Sequence, residues 1–208
     1  MEAIIAGDII NSQQHDPEAY LTVLQDILKE HSSDGMFQIY RGDSYQALLT
    51  NPEQALHACI KIKAALKKTE SLDTRVAIGL GDVTIIDNNI AVSTGSALTR
   101  SGELLDSLKE KGHNLLVNSG NSIDNYMNTS LRLAMLYMDG WTTNSAETVY
   151  ELLDQPDIKQ DELGKRLGVK QATASRRLDR ANWKETQQLL RLFQQFYKDI
   201  SHAHSSSN

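Results

Sequence analysis

The stretch IYRGDSYQALL, residues 39–49, decides what kind of sheet this chain builds. Apolar, strand-like runs flank Arg41-Gly42-Asp43-Ser44, where glycine and aspartate favour a turn, so the stretch reads as a hairpin. Upstream, AIIAGDII at 3–10 reads as a short buried strand with Asp8 near its end. Asp16-Pro17 then supplies a helix N-cap followed by proline at the first helical position. Tyr20, Val23, Leu24, Ile27 and Leu28 follow at helical spacing to about Glu30. Downstream, Asn51-Pro52 repeats the device, and Leu56, Cys59, Ile60, Ile62 and Leu66 form the buried stripe of a second helix. TRVAIGLG at 74–81 is a strand with Val76, Ile78 and Leu80 on one face and Ala77, Gly79 and Gly81 on the other, where another backbone or a helix approaches closely. Asp87-Asn88-Asn89 is a turn between short strands. A helix follows over about 95–110, then a strand, NLLVN, at 114–118. The order β-α-β-β-α-β-α-β is an α+β plan of split β-α-β character, one sheet covered by helices.

Beyond this the pattern is entirely helical. Residues 123–138 are apolar nearly all round (Ile123, Met127, Leu131, Leu133, Met135, Leu136, Met138), which predicts a buried helix or an interface. Gly140 ends it. A helix over 144–154 turns Ala146, Val149, Tyr150 and Leu153 to one face, and three more follow at about 159–167, 171–181 and 183–199. Trp141 and Trp183 read as packing anchors. The reading divides the chain into a sheet-bearing domain at 1–140, a helical domain at 141–200 and a disordered tail at 201–208.

Composition narrows the class. The chain has 208 residues and a formal net charge of −6, unevenly spread. Between residues 155 and 200 there are ten Lys/Arg against six Asp/Glu, a local charge of +4, while the remainder carries −10. A basic segment on an acidic body implies an acidic partner for that segment. The single cysteine, Cys59, excludes an internal disulfide framework and suits a reducing compartment. No apolar run approaches the ~20 residues of a membrane span, and the N-terminus does not read as a secretory signal, so a cytoplasmic protein without membrane contact is expected. GLGD at 79–82 lacks the spacing of a nucleotide-binding fingerprint.

KQDELGKRLGVKQATASRRLDRA, 159–181, carries the strongest motif. Leu163 and Leu167 lie one helical turn apart, Gly168 permits a tight turn, Val169 plugs the space beneath it, and Ala174 and Leu178 form the inner face of the next helix. Gly164 is small where the two helices cross. This is helix-turn-helix spacing, and the stretch resembles that of many bacterial regulators. Lys170, Gln171 and Thr173 lead the second helix, and Arg176, Arg177 and Arg180 are expected to point outward. These residue types suit base edges and phosphates, so DNA is the expected partner. A solvated basic face on a helical hairpin is the plainer alternative.

Asp8 at the end of one strand and Asp43 at the tip of the following hairpin are candidates for one Mg²⁺ site, because a few carboxylates plus water and phosphate oxygens suit that ion. Singly, each reads as well as a strand-end acid or a turn former. IIAGDIINS at 4–12 followed by YRGDSYQALL at 40–49 resembles the SatD family, a resemblance that extends over the whole chain. More remotely, the N-terminal part is similar to the palm-type, ferredoxin-like catalytic domain of class III nucleotide cyclases. That likeness implies that Asp8 and Asp43 hold metal, and that Ser96 and Arg100, in STGSALTRSG at 93–102, occupy the positions where cyclases carry the asparagine and arginine that meet nucleotide. Two departures stand out. Ser44 replaces the second acid usual in the SatD hairpin, and Ser96 replaces the cyclase asparagine. The expectation is a cytoplasmic regulatory protein that binds DNA through 159–181, pairs as a homodimer, and carries a degenerate cyclase-like domain binding a nucleotide or Mg²⁺-nucleotide. The alternative is a metal-dependent nucleotidyl-transfer or cyclase-type enzyme using Asp8 and Asp43.

Overall fold

A computed structural model describes residues 1–69 and 72–205. Its main sheet has the order β2-β3-β1-β4-β7, from β1 (Glu2–Ile10), β2 (Ser32–Tyr40), β3 (Ser44–Leu49), β4 (Asp73–Gly81) and β7 (Leu115–Asn118). β1 runs antiparallel to both neighbours, β3 and β4, and β7 adds to β4 in parallel. Two β-α-β units are thereby interleaved: α1 (Pro17–His31) leads from β1 to β2, and α2 (Ala55–Thr69) leads from β3 to β4. β5 (Thr84–Ile86) and β6 (Asn89–Thr94) form a separate two-stranded hairpin before α3 (Ser96–Lys111). The class is α+β, as the sequence pattern requires.

The hairpin at 39–49 closes on Arg41 and Gly42, both with positive φ (51° and 84°), and Asp43 N–H donates to the Tyr40 carbonyl at 3.2 Å. Two consecutive left-handed residues are the geometry that matches strand twist. Asp43 therefore follows the turn rather than tipping it.

The small-residue face of β4 performs the role read from it. A Cβ at Gly79 would collide with the backbone of Ala97 and Ser101, and one at Gly81 with Ser96 and Arg100. Only glycine lets α3 lie this close to the sheet. The antiparallel register pairs Ile4 with Gly79, Ala6 with Ala77 and Asp8 with Arg75, so these β1 residues face α3 too. Gly7 is needed on the other face, where Tyr45 lies across it and reaches Thr74 Oγ1 at 2.8 Å.

Five helices follow: α4 (Asp124–Met138), α5 (Thr143–Asp154), α6 (Gln160–Arg166), α7 (Gln171–Arg180) and α8 (Trp183–Ser205). α4 is not buried all round. Met127, Leu131, Ala134, Met135 and Met138 are covered, whereas Leu133 and Leu136 are exposed. α8 continues past residue 200, where a disordered tail was expected, to Ser205; the last three residues of that expected tail, 206–208, lie outside the described residues.

The boundary expected near 140 separates sheet from helices but does not divide the core. One apolar cluster includes Ile5 and Ile78 of the sheet, Ile60 of α2, Val149 of α5 and Phe193 of α8. α5 lies along α2, and buried lysines of α2 fasten the seam. Lys61 Nζ donates to Glu30 of α1 at 2.8 Å and to Asp154 of α5 at 2.6 Å. Lys63 Nζ donates to Asp73 and to Asp139, each at 2.6 Å, and Lys67 Nζ to the Asp139 carbonyl at 2.8 Å. Burial alone would push the Lys61 ammonium down, but Asp154 and Glu30 outweigh it and hold its pKa above the ordinary value. Trp141 and Trp183 are buried as expected, and the Trp141 indole N–H donates to the Ala181 carbonyl at 3.0 Å.

Candidate functional site

The sheet-end carboxylates occupy one end of the β1–β3 pair but lean to different sides. Asp8 sits opposite Ser44 in the ladder and faces α3. Its Oδ1 accepts from Arg75 Nε at 2.9 Å, and its Oδ2 meets Lys109 Nζ of α3 at 3.2 Å. Asp43 is drawn the other way: Ser12 Oγ donates to its Oδ2 at 3.0 Å. The Tyr20 phenol of α1 is raised above its usual pKa by burial first, then by the charges of Asp43 and Asp16. Among the described residues no three His, Cys, Asp or Glu side chains gather as a metal-ligand set. A divalent cation at Asp8 meets two resident cations, which already balance the one carboxylate they hold. As they stand, these residues do not fit Mg²⁺.

Ser96 and Arg100 lie at the other end of the sheet. Ser96 Oγ accepts from Asp82 N–H at 2.9 Å, and Arg100 donates to the Leu80 carbonyl at 2.6 Å. Lys109, the partner of Asp8, is thirteen residues past Ser96 and nine past Arg100 on α3, which at 1.5 Å per residue is about 20 Å and about 14 Å along the helix. One chain therefore does not bring the Asp8–Asp43 end and the Ser96–Arg100 end to one small ligand. Arg100 instead lines its own cavity of about 250 Å³ with Ser119, Gly120, Asn121 and, from the end of α8, Ile200. Its guanidinium packs against Gly120, where a side chain would collide with it.

The basic surface is built on α6 and α7. Val169 N–H donates to the Gly164 carbonyl at 2.8 Å, and Gly168 takes a φ of +64°, so the chain reverses within a few residues. A Cβ at Gly164 would press on the Val169 carbonyl oxygen at 2.9 Å. Leu163 and Ala174 are fully buried, and Leu167, Val169 and Leu178 pack against the same core. With that underside fixed, Lys170, Gln171, Arg176 and Arg180 are exposed and Thr173 is half-buried. Gln171 Nε2 donates back to Gln160 Oε1 at 2.7 Å.

Arg177, expected to point outward, turns back onto α5. Its guanidinium donates to Glu147 Oε2 at 2.9 Å and is mostly covered. The reason is angular: on a 3.6-residue helix, Arg177 lies three residues from buried Ala174 and beside Leu178, on the edge of the inner face. Among the described residues, Lys170, Arg176 and Arg180 have no acidic partner within 4 Å.

Sequence reasoning missed the partners that neutralise these groups: Arg75 and Lys109 for Asp8, Ser12 for Asp43 and Glu147 for Arg177. Each lies 30 residues or more away in sequence. It also missed His31 and His57, whose rings meet edge to face with centroids 5.6 Å apart at the α1–α2 seam. His57 Nε2 donates to the Leu153 carbonyl of α5 at 3.0 Å. Buried Cys59 lies in the core as expected, its thiol pushed far up by burial. No helix among the described residues is long and apolar enough to cross a membrane.

No family model matches the chain, and neither does any curated protein.

Proposed function

We propose that this chain is a DNA-binding regulatory protein of the cytoplasm that resembles the SatD family, with α6 and α7 acting as a helix-turn-helix. The observation that carries the reading is the outer face of α7. Lys170, Thr173, Arg176 and Arg180 stand at three- and four-residue spacing on a helix whose underside is locked, and no acid within the described chain neutralises the bases. An exposed, uncompensated basic stripe on a rigid helix has the charge and shape for a DNA major groove. Electrostatic binding to DNA weakens linearly in log K with log salt, by about 0.9 per phosphate neutralised. The protein should therefore bind duplex DNA with a steep salt dependence. Replacing Lys170, Arg176 and Arg180 together with Ala should lower that slope by about 3. Retention that does not depend on salt, or that the triple variant leaves unchanged, overturns the reading.

In the same proposal the sheet-bearing part is a ferredoxin-like, palm-type domain akin to a degenerate nucleotide cyclase. Its ligand is a nucleotide or Mg²⁺-nucleotide, with Ser96 and Arg100 the residues closest to the phosphates. Support for this comes from the cavity at Arg100, because Ile200 of α8 lines it, and α8 follows α7 directly. A thermal-shift panel of ATP, GTP, CTP and UTP, with and without Mg²⁺, tests it on wild type and Arg100→Ala. A shift that survives Arg100→Ala rejects this site.

The second reading is a metal-dependent nucleotidyl transferase using Asp8 and Asp43. Their place at one end of the sheet favours it, and the Arg75 and Lys109 contacts of Asp8 oppose it. Pyrophosphate release from an NTP with Mn²⁺ or Mg²⁺, abolished by Asp43→Asn, would establish it.

A further inference from the structure

α4 is a ridge with one side uncovered. Tyr126 is 78% exposed, Leu133 61% and Leu136 80%, and on the neighbouring α8 Leu192 is 47% exposed. Single exposed apolar side chains need no explanation, but four on two packed helices make a patch. The ridge is also poor in charge, since from Asn125 to Met138 only Arg132 is charged. Depletion of charge around large apolar side chains marks the centre of a protein interface. A lipid surface would call for several bases along the rim, and α4 offers one.

Grooves flank the ridge. On the α8 side a groove of about 420 Å³ runs between Ser130, Leu133 and Tyr137 of α4 and Leu189 and Leu192 of α8. On the β7 side another, of about 400 Å³, lies between Leu115, Arg132 and Leu136.

We propose that this face is where two copies of the chain pair, α4 against α4, antiparallel about a twofold axis. The order of the stripe supports a second copy as occupant: Tyr126, then the small Thr129 and Ser130, then Leu133 and Leu136. Run antiparallel about a midpoint near residue 131, Tyr126 meets the partner's Leu136, and Leu133 meets the partner's Thr129. Large residues meet small ones or each other reciprocally, so one stripe fits itself, as a closed twofold interface demands. The area is also adequate. The four exposed apolar side chains present on the order of 500 Å². That is more than half of the about 800 Å² per partner of a standard interface, before any polar residue of the face is counted.

The test is the mass of the full chain in solution, measured by sedimentation or light scattering up to about 100 µM. Wild type should be a dimer, and Leu133→Glu and Leu136→Glu should each give monomers with unchanged circular dichroism that melt at the temperature wild type shows when diluted below its dissociation constant, because both positions are exposed. A wild type that stays monomeric over that range overturns the proposal, as does a dimer that persists in both variants. The register has its own check. The double variant Thr129→Cys/Leu133→Cys should form a disulfide-linked dimer on oxidation, with Cys59 buried and out of reach. Oxidation that leaves only uncrosslinked chains rejects the antiparallel register.

Discussion

At the end of β1, Asp8 is enclosed by Arg75 Nε at 2.9 Å and Lys109 Nζ at 3.2 Å, whereas on α7 Lys170, Arg176 and Arg180 face solvent with no acid beside them among the described residues. Both groups of residues attracted attention in the sequence for the same reason, charge in an informative place. The structure separates them. A charge already balanced by its own chain stabilises the fold and is costly to recruit for a ligand. A charge left unbalanced on a rigid helix is available to a partner. Arg177 is instructive because it sits one position from Arg176 and belongs to the other class, through Glu147.

The comparison breaks first at the buried lysines of α2, the most fully enclosed charges. Lys63→Ala strips the ammonium from the Asp139 carboxylate, leaves Asp73 with Lys67 Nζ alone at 3.0 Å and empties the buried space of the lysine stem, and should cost about 3 kcal/mol in urea unfolding. A loss below 1 kcal/mol would mean that water replaces the ammonium and the seam is wet. Next comes Asp8→Asn, which strands Arg75 and Lys109. Both cations are partly solvated, so the expected loss is smaller, about 2 kcal/mol. If the variant is instead more stable, Asp8 is strained for a ligand and the metal reading regains force. Third, Arg177→Ala should lower stability by about 1 kcal/mol, while Arg176→Ala changes it by less than about 0.5 kcal/mol but weakens DNA retention. Equal effects on both measurements would erase the distinction between the two arginines.

The smallest effect concerns pH. Burial lowers the His31 pKa below its ordinary 6.5, and the charges of His57 and Lys61 act in the same direction against the opposing pull of Glu30 and Asp154. The unfolded chain then binds the proton more readily, so the contribution of His31 is complete above pH 6.5 and declines as pH falls through the folded-state value. Melting temperature should fall between pH 7 and pH 5, and His31→Gln should flatten that decline. A slope unchanged by the substitution places the titrating group elsewhere.

Much of the molecule was legible because its signals are local. Gly168 with Leu163, Leu167, Val169, Ala174 and Leu178 predicts the α6–α7 reversal, since each residue acts within a turn or two of the others. The alternation in 74–81 predicts the close approach of α3 at Gly79 and Gly81, because a strand shows its faces every second residue. What was not legible depends on meetings across the chain. α2 reads as amphipathic, yet Lys61, Lys63 and Lys67 are buried, because Asp154 of α5 is brought onto the first and Asp73 and Asp139 onto the other two. The apolar stripe of α4 reads as a buried helix or an interface, and only the fold shows that its inner half is covered while Leu133 and Leu136 are bare.

The sequence by itself determined the elements, the small-residue contact surfaces and the surplus of base on the C-terminal helices, because periodicity, backbone freedom and net charge are properties of short stretches. Only the tertiary structure decided which charges are left over. Whether a carboxylate or a guanidinium is available depends on which opposite charge the fold brings within about 3 Å of it, and these partners lie 30 to 101 residues away along the chain.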